Sequence, residues 1–261
     1  MLEGLVPRLL VGVLGGAFSG LGGVGGGAVY VPLMVGSLQM TQHRAHGTSL
    51  IVVAASAAAA AIAYGIGVPH NWASVAALGV PAFLMAPLGA RATSMLPGVE
   101  LRRVFAVLVL SNGVLMLISP ALALPIGLAS AFRFEVAVVV GAVVGFLSGL
   151  MGVGGGVLIV PAAVLLLGHS QHSAQGLALI VIIPTALSGA AVHQRMGNID
   201  WHAASLIGLA GIPTAFGAAV AATFIPDRAL RIVFGLLLLY IAWTALGVRL
   251  RRQRSRPNSR T

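Results

Sequence analysis

Two clusters of glycine, Gly25-Gly26-Gly27 and Gly154-Gly155-Gly156, carry the strongest chemical signal, each preceded by a serine, Ser19 or Ser148. Glycine is about 1 kcal/mol worse than alanine in a helix, so three in succession break one. If a helix restarts after the break, its free N–H groups and positive dipole end form a site for an anion. Ser19 and Ser148 add hydroxyl donors beside each break. Small residues also let membrane helices approach closely. That alternative fits one glycine in every fourth position better than three in a row followed by Val31-Pro32 or Val160-Pro161. Gly20, Gly22 and Gly25 match the spacing of a dinucleotide fingerprint, but no acid lies between Glu3 and Glu100. That motif needs a strand before it and an acid about twenty residues on, so a nucleotide site is excluded.

The second constellation is Gln42-His43 and Gln171-His172. Imidazole exchanges a proton near neutral pH, and an amide donates to an oxyanion. Two readings stay open for these pairs: lining of a substrate approach with protons as the coupling ion, or hydration of helix ends in a short wet loop. Asn71-Trp72 and Asp200-Trp201 read as helix caps followed by interfacial anchors. His193 and His202 share that interface, and Thr48 either lines a cavity or bonds back to its own helix. Glu3, Glu100, Glu135, Asp200 and Asp227 all fall at ends or loops of the apolar runs, so a carboxylate cation site is not expected. There is no cysteine, no HExxH and no serine placed with a base and an orienting acid, so neither an enzyme, a metal nor a cofactor is expected.

The elements that must position these groups are membrane helices. The 261 residues are 58% hydrophobic and only 8% charged, with 35 glycines and 13 prolines. A soluble domain carries about 25% charged residues. All fifteen bases are arginine, for a net charge of +10. Arg249, Arg251, Arg252, Arg254, Arg256 and Arg260 close the chain, which reads as a cytoplasmic tail beside anionic lipid rather than a nucleic-acid arm. No charged flank precedes a short apolar core at the start, so no cleaved leader is expected.

An internal repeat organises the chain. Gly20–Gly27 is echoed by Gly149–Gly156, and Thr41–Gly47 by Ser170–Gly176. The pairs Asn71-Trp72 with Asp200-Trp201, Pro97 with Pro226, and Leu101-Arg102 with Leu230-Arg231 keep the same register, an offset of 129 (149 − 20). The fold class is therefore all-α and polytopic, with two homologous halves: 1–119 and 134–248, a linker 120–133, and a tail 249–261. In each half a Gly-broken segment (Val6–Gln39; Phe134–Gly168) precedes three apolar runs. These are Gly47–Val68, Trp72–Met95 and Leu101–Ser119, then Gly176–Val192, Ala203–Phe224 and Ala229–Val248, about seven to eight apolar segments in all.

If the broken segments fully span, only Arg8, Arg133 and Arg195 share the side of the tail. If they re-enter, Arg8, Arg44, Arg91, Arg102, Arg103 and Arg195 share it, leaving Arg133, Arg228 and Arg231 opposite. The positive-inside rule favours re-entry. Each half then crosses three times, and the halves are inverted repeats, a common transporter plan.

Two copies of Gly-x-x-Gly-Val-Gly-Gly-Gly-x-x-x-Val-Pro, each followed by the Gln-His-x-Ala-x-Gly block, resemble the sulfite exporter TauE/SafE family, also called the 4-toluene sulfonate uptake permeases. The resemblance runs from about Leu10 to Val248 and is family-specific rather than substrate-specific. It implies a bacterial inner-membrane carrier of sulfite, sulfonates or related small anions. Ser173, Gln175 and Leu177 stand where the first half has Arg44, His46 and Thr48, so the half-sites differ chemically. The expected substrate site comprises Ser19, Gly25, Gly26, Gly27, Gln42 and His43 with Ser148, Gly154, Gly155, Gly156, Gln171 and His172. The competing class is an anion channel lined by the same glycine segments.

Overall fold

The computed structural model describes residues 4–65, 71–118 and 133–254. Among them the chain forms ten α-helices and no strand: α1 Leu5–Gly22, α2 Gly27–Gly36, α3 Gln42–Gly65, α4 Trp72–Ala92, α5 Gly98–Ile118, α6 Arg133–Met151, α7 Gly156–Leu165, α8 Gln171–Arg195, α9 Trp201–Thr223 and α10 Asp227–Arg254. The helices of the first half recur in order in the second, and α2 and α7 match residue for residue at the offset of 129. Seven helices (α1, α3, α4, α5, α6, α8 and α9) are long and apolar enough to cross a bilayer, while α2 and α7 are apolar but only 10 residues long.

Side chains set several helix starts. Asn71 accepts from the Ser74 N–H, Asp200 from Ala203 and Ser170 from Ser173, each satisfying an orphan donor of the first turn. Asn71 and Asp200 thus act as the expected caps, and Trp72 and Trp201 after them are exposed. α3 and α8 begin at Gln42 and Gln171, upstream of the expected starts at Gly47 and Gly176. The Gln-His pairs are therefore first helical turns rather than a loop. The expected linker lies outside the described residues except for Arg133, which opens α6. Of the expected tail, 249–254 continues α10 and 255–261 lies outside the described residues.

Contacts between helices fix their directions. α1 lies along α9 in parallel, with Gly12, Gly16 and Gly20 facing Ile207, Gly211 and Ala215. α3 is parallel to α9, since Thr48 meets Asp200 and Ser56 meets Gly211. α8 runs opposite to α3, with Gly47 near His193 and Tyr64 bonded to Gln175. α4 follows α8, because Gly79 meets Val181 and Ser188 bonds the Phe83 carbonyl. α6 follows α4, with Gly141, Gly145 and Gly149 against Leu78, Ala82 and Ala86. So α1 and α6 point in opposite directions, and the two halves are inverted repeats.

Two ladders of glycine at every fourth residue hold this arrangement. A side chain at any of these six positions would run into a carbonyl of the facing helix. Such close backbone approach is how membrane helices gain packing without a hydrophobic driving force. The ladders cross between halves: the first helix of each half packs on the fourth helix of the other. The Gly turn after α1 sends the chain back, since Tyr30 of α2 lies over Gly15 of α1. The segment is a hairpin, which gathers Arg8, Arg44, Arg91, Arg103 and Arg195 at the end where α10 finishes. α5 and α10 pack chiefly on each other, Gly113 against Gly235, and touch α7 and α2 respectively.

Candidate functional site

The break after each first helix is a run of left-handed backbone. Gly26 (φ 77°) and Gly155 (φ 87°) are the N-cap residues of α2 and α7, a conformation costing an L-residue roughly 1–2 kcal/mol. The turns sit at mid-depth of the bundle. A Cβ on Gly25 would lie 2.8 Å from Val53 and 3.2 Å from Ile182, and one on Gly154 would meet the same two side chains. Val53 and Ile182 lie halfway along α3 and α8. The turns also touch one another. A Cβ on Gly27 would come within 2.5 Å of the Val153 Cα, and one on Gly156 within 2.5 Å of the Val24 Cα. From this meeting point α2 and α7 leave in opposite directions, so their N-terminal ends face each other.

The preceding helix ends are satisfied with care. At the end of α1, Gln175 Nε2 donates to the Leu21 carbonyl at 3.2 Å. Tyr64 Oη donates to Gln175 Oε1 at 2.7 Å and lies 3.4 Å from the Gly20 carbonyl. At the end of α6, His193 Nε2 donates to the Gly149 carbonyl at 3.3 Å and His46 Nδ1 to Leu150 at 3.1 Å. Thr93 Oγ1 reaches Leu150 at 3.0 Å, and Ser49 Oγ the Gly152 carbonyl. The offset of 129 maps Tyr64 onto His193, Gln175 onto His46, Gly20 onto Gly149 and Leu21 onto Leu150. One capping device therefore occurs twice with different side chains. It needs Gly23 and Gly152, where any Cβ would collide with Gln175 or His46.

The N-terminal ends of α2 and α7 receive nothing comparable. Neither has a side-chain cap, and no described residue accepts from the N–H groups of Gly25–Ala28 or of Gly154–Val157. Ser19 and Ser148 are buried, and among the described residues their hydroxyls have no partner. In hydrocarbon each unsatisfied backbone group costs several kcal/mol. What the paired turns offer chemically is a set of unused donors and two positive dipole ends, with no carboxylate among them. The ion pairs among the described residues lie at helix ends: Arg44 with Asp200 at 3.3 Å, Arg103 with Glu100 at 2.7 Å, and His172 with Asp227. No group of metal-ligating side chains occurs among the described residues.

The expected site residues thus separate into two sets. Ser19, Gly25, Gly26, Gly27, Ser148, Gly154, Gly155 and Gly156 converge at mid-depth. Gln42, His43, Gln171 and His172 stay in the first turns of α3 and α8, at opposite ends of the bundle. Gln42 Nε2 lies 2.9 Å from His46 Nε2, and His43 Nε2 donates to the Thr93 carbonyl at 3.1 Å. His172 donates from Nε2 to the Ala222 carbonyl at 3.1 Å, the counterpart of the Thr93 bond, and pairs through Nδ1 with Asp227. Gln171 is buried with its amide unpartnered among the described residues. Thr48 Oγ1 accepts from the Asp200 N–H at 2.9 Å, joining α3 to α9 rather than lining a cavity. His193 is buried in the bundle, not interfacial, whereas His202 is exposed.

Tyr64, His193, His46, Gln175, Ser49 and Thr93 surround the broken carbonyls, a role that their residue types alone do not announce. The offset was the available signal, because it pairs Tyr64 with His193 and His46 with Gln175 inside otherwise apolar runs.

Comparison with known proteins follows the same division into halves. The family model of the sulfite exporter TauE/SafE matches residues 2–116 and 136–261. A probable membrane transporter protein of Xylella fastidiosa is 30% identical over 247 residues, covering 92% of this chain and 94% of that protein. The probable membrane transporter protein YunE of Bacillus subtilis is 26% identical over 235 residues, 81% of this chain and 84% of that protein.

Proposed function

The chain belongs to the sulfite exporter TauE/SafE family of multi-pass membrane transporters, and from that premise we propose that it is a secondary carrier of a small anion, sulfite or an organosulfonate. The observation that carries this reading is the meeting of two uncapped helix N-termini at mid-depth, where their N–H groups find no acceptor among the described residues. A helix N-terminus binds anions through those N–H groups and its dipole, and discontinuous helices at the midplane are where carriers hold anionic groups. The residues assigned to the anion are Gly25, Gly26, Gly27, Gly154, Gly155 and Gly156, with the hydroxyls of Ser19 and Ser148.

Val53 and Ile182 press on both turns, which supports an occluded conformation of an alternating-access carrier more than a standing pore. The two hairpins, crossed between halves by the glycine ladders, are the bodies that would rock against one another. We place the protein in the inner membrane with its arginine tail cytoplasmic, because the tail shares its end of the bundle with most other arginines. Protons are the proposed coupling ion. His43 at one end and His172 at the other stand where they would exchange them with water.

Reconstituted protein in liposomes tests the reading. Preloaded unlabelled sulfite or organosulfonate should drive transient accumulation of the labelled anion, with saturable rates. An imposed pH gradient should change the initial rate. Linear flux without counterflow would mean a channel, and flux equal to that of empty liposomes for both anions would overturn the substrate assignment.

A further inference from the structure

We propose that the coupling proton is carried by His46 and His193, a buried imidazole pair at the end of α6 that has no counterpart at the end of α1. This inference rests on the proton-coupled carrier reading above and names the seat of its proton. Both residues are 0% exposed. They bond successive carbonyls, His193 Nε2 that of Gly149 and His46 Nδ1 that of Leu150. Each ring donates through one nitrogen, which leaves its second nitrogen as a base. On His46 that base is Nε2, which accepts from the Gln42 amide at 2.9 Å. On His193 it is Nδ1, buried with no partner among the described residues. A third imidazole, His43, is half-buried nearer the rim and donates to the Thr93 carbonyl, while the Thr93 hydroxyl donates to Leu150. A chain of polar groups thus leads from the rim to the pair.

A proton added at His193 Nδ1 or His46 Nε2 breaks neither carbonyl bond. At His46 the Gln42 amide has only to turn over, so that its oxygen accepts where its nitrogen donated. The carbonyl end of a helix carries roughly half a negative charge, and α6 presents that end to both rings. The other titratable and charged groups on the elements around the pair lie toward the rim. They are Arg8 of α1, Arg44 paired with Asp200, Arg91 of α4, Glu100 paired with Arg103 on α5, Arg195 of α8 and His202 of α9. α2, α6 and α7 bring none to this end. Among the described residues no carboxylate is within ion-pair reach of either ring. A buried cation needs a counter-charge, and the anion at the turns supplies it, since Gly152 abuts the His46 backbone. Each ion then favours binding of the other. At the end of α1 the matching places hold Gln175 and Tyr64, neither of which becomes a cation. The proton enters from water at His43, rests on the pair while the anion occupies the turns, and leaves toward His172 once the hairpins have rocked.

The double variant His46→Gln, His193→Tyr tests this, because it rebuilds at α6 the pair of side chains found at α1. For one proton per anion, a gradient of one pH unit sustains about a tenfold accumulation of labelled sulfite or organosulfonate in proteoliposomes. The unmodified protein should reach that ratio. The double variant should still exchange labelled for preloaded anion, yet accumulate none beyond equilibration. Undiminished accumulation by the double variant would overturn the proton seat and leave the carrier reading standing. Absence of counterflow from the unmodified protein would sink the carrier reading, and the seat with it. A second measurement needs no double variant. In unmodified protein with isotope-labelled histidine, whichever of the two anions drives counterflow should move a ring signal of His46 or His193 from the neutral to the imidazolium position. The signals are assigned by their loss in His46→Gln and in His193→Gln. Two rings that stay neutral at saturating anion would overturn the seat.

Discussion

Gly155→Ala separates the function of the turn from its strain. At φ 87° an alanine costs roughly 1–2 kcal/mol in backbone conformation alone. Its Cβ would also lie 2.9 Å from Val144 Cγ1 and 3.4 Å from Ser148 Cβ, contacts a side-chain shift can relieve. Gly197 provides the matched control. It has φ 69° and nothing within 4 Å of an added Cβ, so Gly197→Ala carries the conformational cost without the contact. Both variants should therefore lose about 1–2 kcal/mol in detergent-solubilised unfolding. Only Gly155→Ala should also weaken transport, by about five- to thirtyfold in kcat/KM if the strain is relieved by turning the N–H groups off the ligand. The paired measurements are thermal unfolding and initial uptake rates in liposomes. Equal transport losses in the two variants, or full transport by Gly155→Ala at normal stability cost, would refute the assignment of the turn.

Other consequences are open to simpler checks. His46→Gln reproduces the cap that Gln175 makes in the other half, so it should stay near wild-type stability. His46→Leu leaves a buried carbonyl with one donor fewer and should cost about 1–3 kcal/mol, read by unfolding. Gly145→Leu drives a side chain into the Ala82 carbonyl and should abolish the α4–α6 contact, seen as loss of folded protein on size-exclusion chromatography. Single cysteines at Ser37 and Arg195 should be labelled from one side of the membrane and one at Phe224 from the other. Labelling Ser37→Cys with Phe224→Cys would overturn the hairpin. Arg44→Ala breaks an exposed pair with Asp200 and should change stability by less than about 1 kcal/mol.

Much of the architecture was legible because the repeat fixes equivalence. The offset of 129, the glycine triplets, the caps at Asn71 and Asp200 and the arginine balance together imply two inverted halves with re-entrant segments. Equivalence does not say which helices touch, however. Nothing in Gly12, Gly16 and Gly20 indicates that their partner is α9 of the other half rather than a neighbour in their own. Four-residue glycine spacing serves any close helix pair, and the sequence holds many such spacings. The capping role of His46 is hidden in the sequence for a related reason. Gln42 and His43 look chemically richer than His46, but depth decides function in a membrane. The residue one turn further in is the one that reaches the broken carbonyls, and depth is a property of the folded hairpin rather than of local composition.

The contrast between the two kinds of helix end at the turns leads to one more expectation. Carbonyl ends at Gly20–Leu21 and Gly149–Gly152 are capped by side chains drawn from α3, α8 and Thr93. Amide ends a few residues away meet no acceptor among the described residues, although serines lie beside them. Each bare end carries roughly half a positive charge, and the two face each other in a medium that screens poorly. The ligand-free turns therefore repel, and an anion between or beside them relieves that repulsion while occupying the N–H groups. Binding should then stabilise the fold itself, by about 2.7 kcal/mol when the anion stands at a hundred times its Kd. A thermal-shift titration with sulfite, an organosulfonate and a neutral analogue of similar size measures this without any transport. The two anions should raise the unfolding temperature in a saturable way that Gly155→Ala blunts and Gly197→Ala does not. A shift of the same size with the neutral analogue would mean that shape, not the charge of the helix ends, is what the turns recognise.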